Sequence, residues 1–190
     1  MRFLLILLLL IFSLSCFRLR QQEEPSGEEV WVYPDESHKV LDNLKYAYIY
    51  RNIENLKTCY DSSNFYFYSD ESLLSGPSGD LYRDWDYVKE IEFTSTLFLS
   101  VDPQEPSPIT FSLFSPDSID TLINEVKFSI QYEFSVAFND GSKANARGRS
   151  VFLIALQPTG LWAIKEWWDF KDTTLPYLSW AEIKALRNSP

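Results

Sequence analysis

"GLWAIKEWWDF" spans residues 160–170 and sets Trp162, Trp167 and Trp168 beside Ile164, Glu166 and Asp169. In a flat strand successive side chains alternate, so Trp162, Ile164, Glu166, Trp168 and Phe170 would share one face. Glu166 would then lie among aromatic rings, and burying an unpaired carboxylate is expensive. One extra residue near Lys165–Glu166, a β-bulge, shifts the alternation by one. Trp162 and Ile164 then align with Trp167 and Asp169, and Glu166 reaches a solvated edge. A bulged strand is the expectation, with its aromatics serving as core or pocket lining.

The stretch before it supplies partners for this strand. Val126, Phe128, Ile130, Tyr132, Phe134, Val136 and Phe138 face one way, while Lys127, Ser129, Gln131, Glu133, Ser135 and Ala137 face the other. This period of two predicts a half-buried strand. Asn139-Asp140-Gly141-Ser142 is a turn with a glycine free to adopt positive φ. Residues 143–156 form the return strand, and Gln157-Pro158-Thr159-Gly160 turns the chain again. The result is a three-stranded antiparallel meander. Ala144, Ala146 and Gly148 leave space on one face, where another backbone or a ligand can approach. Arg147 and Arg149, opposite them, read as a solvated sheet face, with an anionic ligand as the alternative.

Further out, residues 34–61 carry Val40, Leu41, Leu44, Tyr48, Ile49, Ile53, Leu56 and Tyr60 at helical spacing without internal Gly or Pro. One long helix is expected, capped by Asp35 or Ser37. Tyr46, Tyr48, Tyr50 and Tyr60 read as helix-packing residues with wet hydroxyls. "NFYFYSD" (64–70) reads as a strand and residues 71–83 as a loop. Residues 84–100 fit a helix through Trp85, Val88, Ile91 and Phe98, or a strand through Phe93, Ser95, Leu97 and Leu99. We take the helix. A Pro-rich break (102–108) precedes a strand at 109–114. "SWAEIKALR" is a capping box, Ser179 followed by Glu182, that opens a short final helix.

Trp162-x-Ile164-x-x-Trp167-x-Asp169 resembles the last long strand of the nuclear transport factor 2-like superfamily. The element order over about 34–170 fits as well. The resemblance implies an α+β fold: a curved, mostly antiparallel sheet wrapped around a long N-terminal helix, a cone or cystatin-like architecture with a pocket at its open end. The superfamily includes ketosteroid isomerases, polyketide cyclases and scytalone dehydratases, besides many non-catalytic members. Its enzymes generally set an Asp base, or an Asp/His pair, among tyrosines. On this chain the implied pocket candidates are Tyr48, Tyr132, Phe134, Trp167 and Asp169, with Asp61 as a second carboxylate. The dehydratase pattern is not met, because His38 is the lone histidine and opens the first helix.

The 190 residues are 45% hydrophobic and 16% aromatic, enough for a real core. A net charge of -10 disfavours nucleic acid as a partner. One histidine and two cysteines exclude the usual zinc spacings, and no metal or cofactor is expected. Metal held by carboxylates alone stays open, although no Asp/Glu run has calcium-loop spacing. "MRFLLILLLLIFSLSC" (1–16) is an export signal, because a span needs roughly twenty apolar residues. Two cleavages compete: an ordinary signal-peptidase cut after Ser15, and lipidation of Cys16 as in a bacterial lipobox. The lipobox match is imperfect, with Ser13 where leucine is usual. Lipidation is preferred. It divides the chain into a signal (1–15), a flexible tether (16–30) and one domain (31–190), anchored to a membrane of the bacterial envelope. An inner-membrane anchor is the runner-up. Cys59 is then a small buried hydrophobe, or the partner of an unlipidated Cys16 in a disulfide.

Three functions remain open from sequence. The preferred one is a non-catalytic module binding a small apolar ligand or a protein. The others are an isomerase or dehydratase with an Asp base, and a structural subunit that forms a homodimer or recruits a partner through the outer face of its curved sheet, which a filled cone and a broad apolar patch outside the sheet would mark.

Overall fold

A computed structural model describes residues 31–76 and 79–188. The export signal, Cys16 with its lipid or disulfide, and the tether lie outside the described residues. In chain order the elements are α1 (Ser37–Ile49), α2 (Ile53–Cys59), β1 (Tyr66–Tyr68), α3 (Glu71–Leu74), α4 (Gly79–Tyr82) and α5 (Tyr87–Ser100). The sheet strands β2 (Ile109–Leu113), β3 (Ser118–Thr121), β4 (Glu125–Ala137), β5 (Lys143–Leu156) and β6 (Trp162–Lys171) follow, and α6 (Trp180–Asn188) ends the chain. The strands form one curved sheet in the order β1-β6-β5-β4-β2, with β3 also on β4. All pairs are antiparallel except β1 with β6. Among the described residues no helix is long and apolar enough to cross a membrane.

The meander is present as expected. Every inward residue of β4 from Val126 to Val136 is buried, on the face that carries the helices. The bulge in β6 falls at Lys165, because Leu153 pairs with Glu166 while Ile154 pairs with Ile164. Ile164, Trp167 and Asp169 are buried as a result, whereas Glu166 sits half-buried beside Tyr66 of β1.

The single helix over 34–61 is corrected to two. Arg51 adopts a left-handed φ of 55°, and the Asn52 side chain accepts from the Asn55 amide at 2.9 Å to start α2. Asn52 thus offers the backbone a new N-cap, which local periodicity does not reveal. The cap of α1 is also corrected: Glu36 occupies that position, without a side-chain cap bond. Residues 71–83 contain two short helices rather than loop alone. Helix α5 forms, but its buried stripe is Glu90, Phe93, Thr94 and Leu97, while Val88 is exposed. Strand β3, exposed throughout, gave no hydrophobic signal.

Candidate functional site

The site is assembled around the start of α6. Ser179 and Glu182 form the capping box in both directions: the Ser179 amide donates to Glu182 Oε2 at 2.7 Å, and the Glu182 amide to Ser179 Oγ at 3.1 Å. Two further amides of this first turn, free in any helix end, turn into the core. The Trp180 amide donates to the Tyr132 hydroxyl at 2.8 Å, and the Ala181 amide to Asp169 Oδ2 at 2.8 Å. Tyr132 in turn donates to Asp169 Oδ1 at 2.7 Å. Asp169 therefore caps a helix from beneath. Burial raises its pKa to about 6, against the lowering effect of these hydrogen bonds and of Lys184.

Small residues on β5 make room for this arrangement. A Cβ on Gly148 would fall 2.3 Å from the Phe170 carbonyl oxygen and 3.0 Å from the Tyr132 hydroxyl. Beside Ala146 the approaching backbone is the chain's own. Leu178 pairs with β5 there, its carbonyl accepting from the Arg147 amide at 2.8 Å and its amide donating to Asn145 at 3.1 Å.

The five pocket candidates converge, and what lies between them is Trp180. Phe134 packs at 4.5 Å from its ring centroid and Tyr48 at 5.4 Å edge-on, while Trp167 stacks parallel at 6.1 Å. Tyr132 and Asp169 hold its helix. Tyr48, Phe111, Tyr132, Phe134, Trp167 and Trp180 enclose a space that leaves no room for a water molecule. Trp167 donates its Nε1 hydrogen to Ser150 Oγ at 2.9 Å.

One turn further along α6, Lys184 is wholly buried. Its ammonium is paired with Glu90, also wholly buried. The rings of Phe67, Trp85, Phe93, Trp180 and Trp167 surround its nitrogen at 4.5, 4.5, 4.8, 5.2 and 5.8 Å. Glu90 is held by Trp85 Nε1 at 2.7 Å and by the Tyr48 hydroxyl at 3.2 Å. Burial pushes the Lys184 pKa below its ordinary value, against the pull of Glu90 and Asp169. It likewise pushes those of Tyr48 and Tyr132 well up.

Sequence reasoning missed Phe67, Trp85, Glu90, Trp180 and Lys184 as a group. A signal existed: Trp180 and Lys184 are four apart and share one helix face, as Glu90 does with Phe93, Thr94 and Leu97. A lysine on a short terminal helix nevertheless reads as solvent-facing by default.

The remaining candidates lie elsewhere. Asp61 caps a turn: burial raises its pKa, but hydrogen bonds from the Asn64 side chain and the Ser63 and Asn64 amides outweigh this and hold it low. His38 is exposed at the start of α1. Tyr48 and Tyr60 are buried, so their hydroxyls are dry, contrary to expectation, whereas Tyr50 is exposed. Cys59 is buried, its thiol pKa pushed up by burial. Arg147 bridges Glu133 and Asp172 at 3.1 and 3.6 Å, and Arg149 lies over Phe170. Among the described residues no group of three or more His, Cys, Asp or Glu could hold a metal ion.

No family model matches this sequence, and no curated protein matches it. Solved structures do. A nuclear transport factor 2-like superfamily protein from Salmonella enterica is 18% identical, with a TM-score of 0.52 over 68% of this chain and 83% of its own. The fold is nuclear transport factor 2-like. A candidate aromatic ring hydroxylase from Novosphingobium aromaticivorans is 11% identical, with a TM-score of 0.59 over 77% of this chain and 92% of its own. A domain of unknown function with a cystatin-like fold, from Nostoc punctiforme, gives 0.51 at 11% identity over 72% of this chain and 75% of its own. In this nuclear transport factor 2-like cone, the interior is occupied by the chain's own last helix.

Proposed function

We propose that this chain is a non-catalytic binding module, displayed on the bacterial envelope by a lipid on Cys16, which recognises a protein partner through the outer face of its sheet. One observation carries the reading: the cone is filled by Trp180 and Lys184, while on the opposite face Tyr66 and Tyr68 stand exposed beside the half-buried Trp168. Tyr66, Tyr68 and Trp168 form a continuous stack there, with centroid separations of 6.4 and 5.3 Å. Lys127 covers the row at Trp168, 5.3 Å from its ring. A groove of about 320 Å³ runs beside it between Arg149, Phe170, Ser118 and Asp120. Tyrosine, tryptophan and arginine side chains are the anchors that protein interfaces favour.

A second reading, the isomerase or dehydratase, has one observation in its favour: Asp169 has a pKa raised to about 6 and is bonded to Tyr132. It requires α6 to leave the cone.

A photo-crosslinker placed at Tyr68 in the source cells, against a control at exposed Val88 on α5, tests the proposal. A heavier adduct from Tyr68 alone, lost in Trp168→Asp, is expected. Equal adducts from both positions, or none, would refute it. An adduct of exactly twice the chain mass, with a dimer in sedimentation of the purified protein, would favour the structural subunit instead. Mass spectrometry of the mature N-terminus reports the lipid on Cys16.

A further inference from the structure

A wholly buried lysine demands a reason. Leu or Met in its place, with a neutral residue at Glu90, would fill the same volume without desolvating a charge. Here seven side chains from α1, β1, α5, β6, α6 and the loop before α5 compensate that charge. Five rings face the Lys184 nitrogen within 5.8 Å, Glu90 takes its hydrogen bond, and Trp85 and Tyr48 hold Glu90 in place. Four of those rings, Phe67, Trp85, Phe93 and Trp167, come from outside α6. Electron-rich ring faces around a carboxylate are the chemistry that recognises an organic ammonium. Because Glu90 accepts directly from the nitrogen, the group recognised must carry N–H bonds.

We propose that Phe67, Trp85, Phe93, Trp167 and Glu90 form a binding site for a primary alkylammonium group, which the chain closes with its own Lys184 as a built-in occupant. The site does not depend on the outer face of the sheet, so it stands apart from the proposed partner surface. Helix α6 is then more than a lid of apolar residues: it delivers a ligand. Its seating through Tyr132, Asp169 and the Ser179–Glu182 box sets how far the ammonium reaches.

Chemical rescue tests this on the full chain. Lys184→Ala keeps Cβ and removes the equivalent of one n-propylammonium ion. Thermal unfolding of the variant is followed with propylammonium chloride, 1-propanol, tetramethylammonium chloride and sodium chloride. Propylammonium should raise the midpoint saturably by several degrees. Neutral 1-propanol, the N–H-free tetramethyl ion and sodium should not, and the unaltered protein should respond to none. If Lys184→Ala does not fold in buffer alone, the same series is read as recovery of native tryptophan fluorescence after dilution from denaturant. Lys184→Ala/Glu90→Gln, which removes both buried charges, should show no preference for propylammonium over 1-propanol. An equal response of Lys184→Ala to propylammonium and 1-propanol, or none to either, would overturn the proposal.

Discussion

Tyr132 and Asp169 meet at 2.7 Å inside the sheet, and between them they accept two backbone amides from the first turn of α6. This pair, of the types that isomerase chemistry uses, here serves as a helix cap. Its energetics have a definite pH signature. Asp169 has a pKa of about 6 in the fold against an ordinary 3.8, so the folded state binds more protons between those values. The stability contributed by its protonated form is fully present below pH 3.8 and is lost as pH rises through about 6. The gap corresponds to about 3 kcal/mol. Denaturant unfolding of the native chain minus that of Asp169→Asn, measured from pH 4 to 8, should fall over this window and flatten above it. A difference that rises with pH would contradict the assignment.

The buried Lys184–Glu90 pair makes a prediction of opposite kinds for one and two substitutions. Removing one partner strands a charge, which costs about 3–5 kcal/mol. Lys184→Met should therefore unfold at much lower denaturant. Adding Glu90→Gln, which leaves a neutral acceptor for Trp85 and Tyr48, should recover most of the loss. A double-mutant cycle of chemical denaturation measures the coupling, and simple additivity would argue against the pair.

Gly148 is required by what faces it. The Cβ of Gly148→Ala would meet the Phe170 carbonyl at 2.3 Å, and backbone cannot yield as a side-chain tip can. The expected loss is about 1–3 kcal/mol. A thermal midpoint unchanged by this substitution would mean that β5 and β6 are further apart than described.

The bulge at Lys165 supports the register of everything after it. Deleting Lys165 moves Trp167 and Asp169 to the outer face, or Trp162 and Ile164 if the other half shifts. Either result removes buried aromatic area, so circular dichroism of the deletion should show no cooperative native state. Lys165→Ala keeps the residue count and loses only a half-exposed ion pair with Glu125. It should cost within about 1 kcal/mol.

What was legible in the sequence follows from where the physics is local. Alternation along β4, the bulge forced by Glu166, and the Ser179–Glu182 box each depend on neighbours a few residues apart, and each is present in the structure. The break at Arg51 was not legible, because the apolar spacing runs unbroken from Val40 to Tyr60 and outweighs the weak helix preference of Asn52, which signals a cap only once Arg51 turns left-handed. The interior was not legible for a longer-range reason. Lys184 reaches the core only because Phe67, Trp85, Phe93 and Trp167 arrive from separate elements; its spacing of four from Trp180 in "WAEIKALRN" puts the two on one helix face without saying that this face is buried. The candidates Tyr48, Tyr132, Phe134, Trp167 and Asp169 do face one point, but sequence could not supply the residue that fills it.

The central claim is that the chain's own last helix fills the cone, with Lys184 inside a ring of aromatics. Proton-detected NMR of the lysine side chains tests it most directly. Five rings around one nitrogen should move the Lys184 ε-methylene resonances far upfield of the other lysines, and its ammonium protons, shielded from water, should exchange slowly enough to be seen. A Lys184 spectrum that coincides with the solvent-exposed lysines would contradict the account.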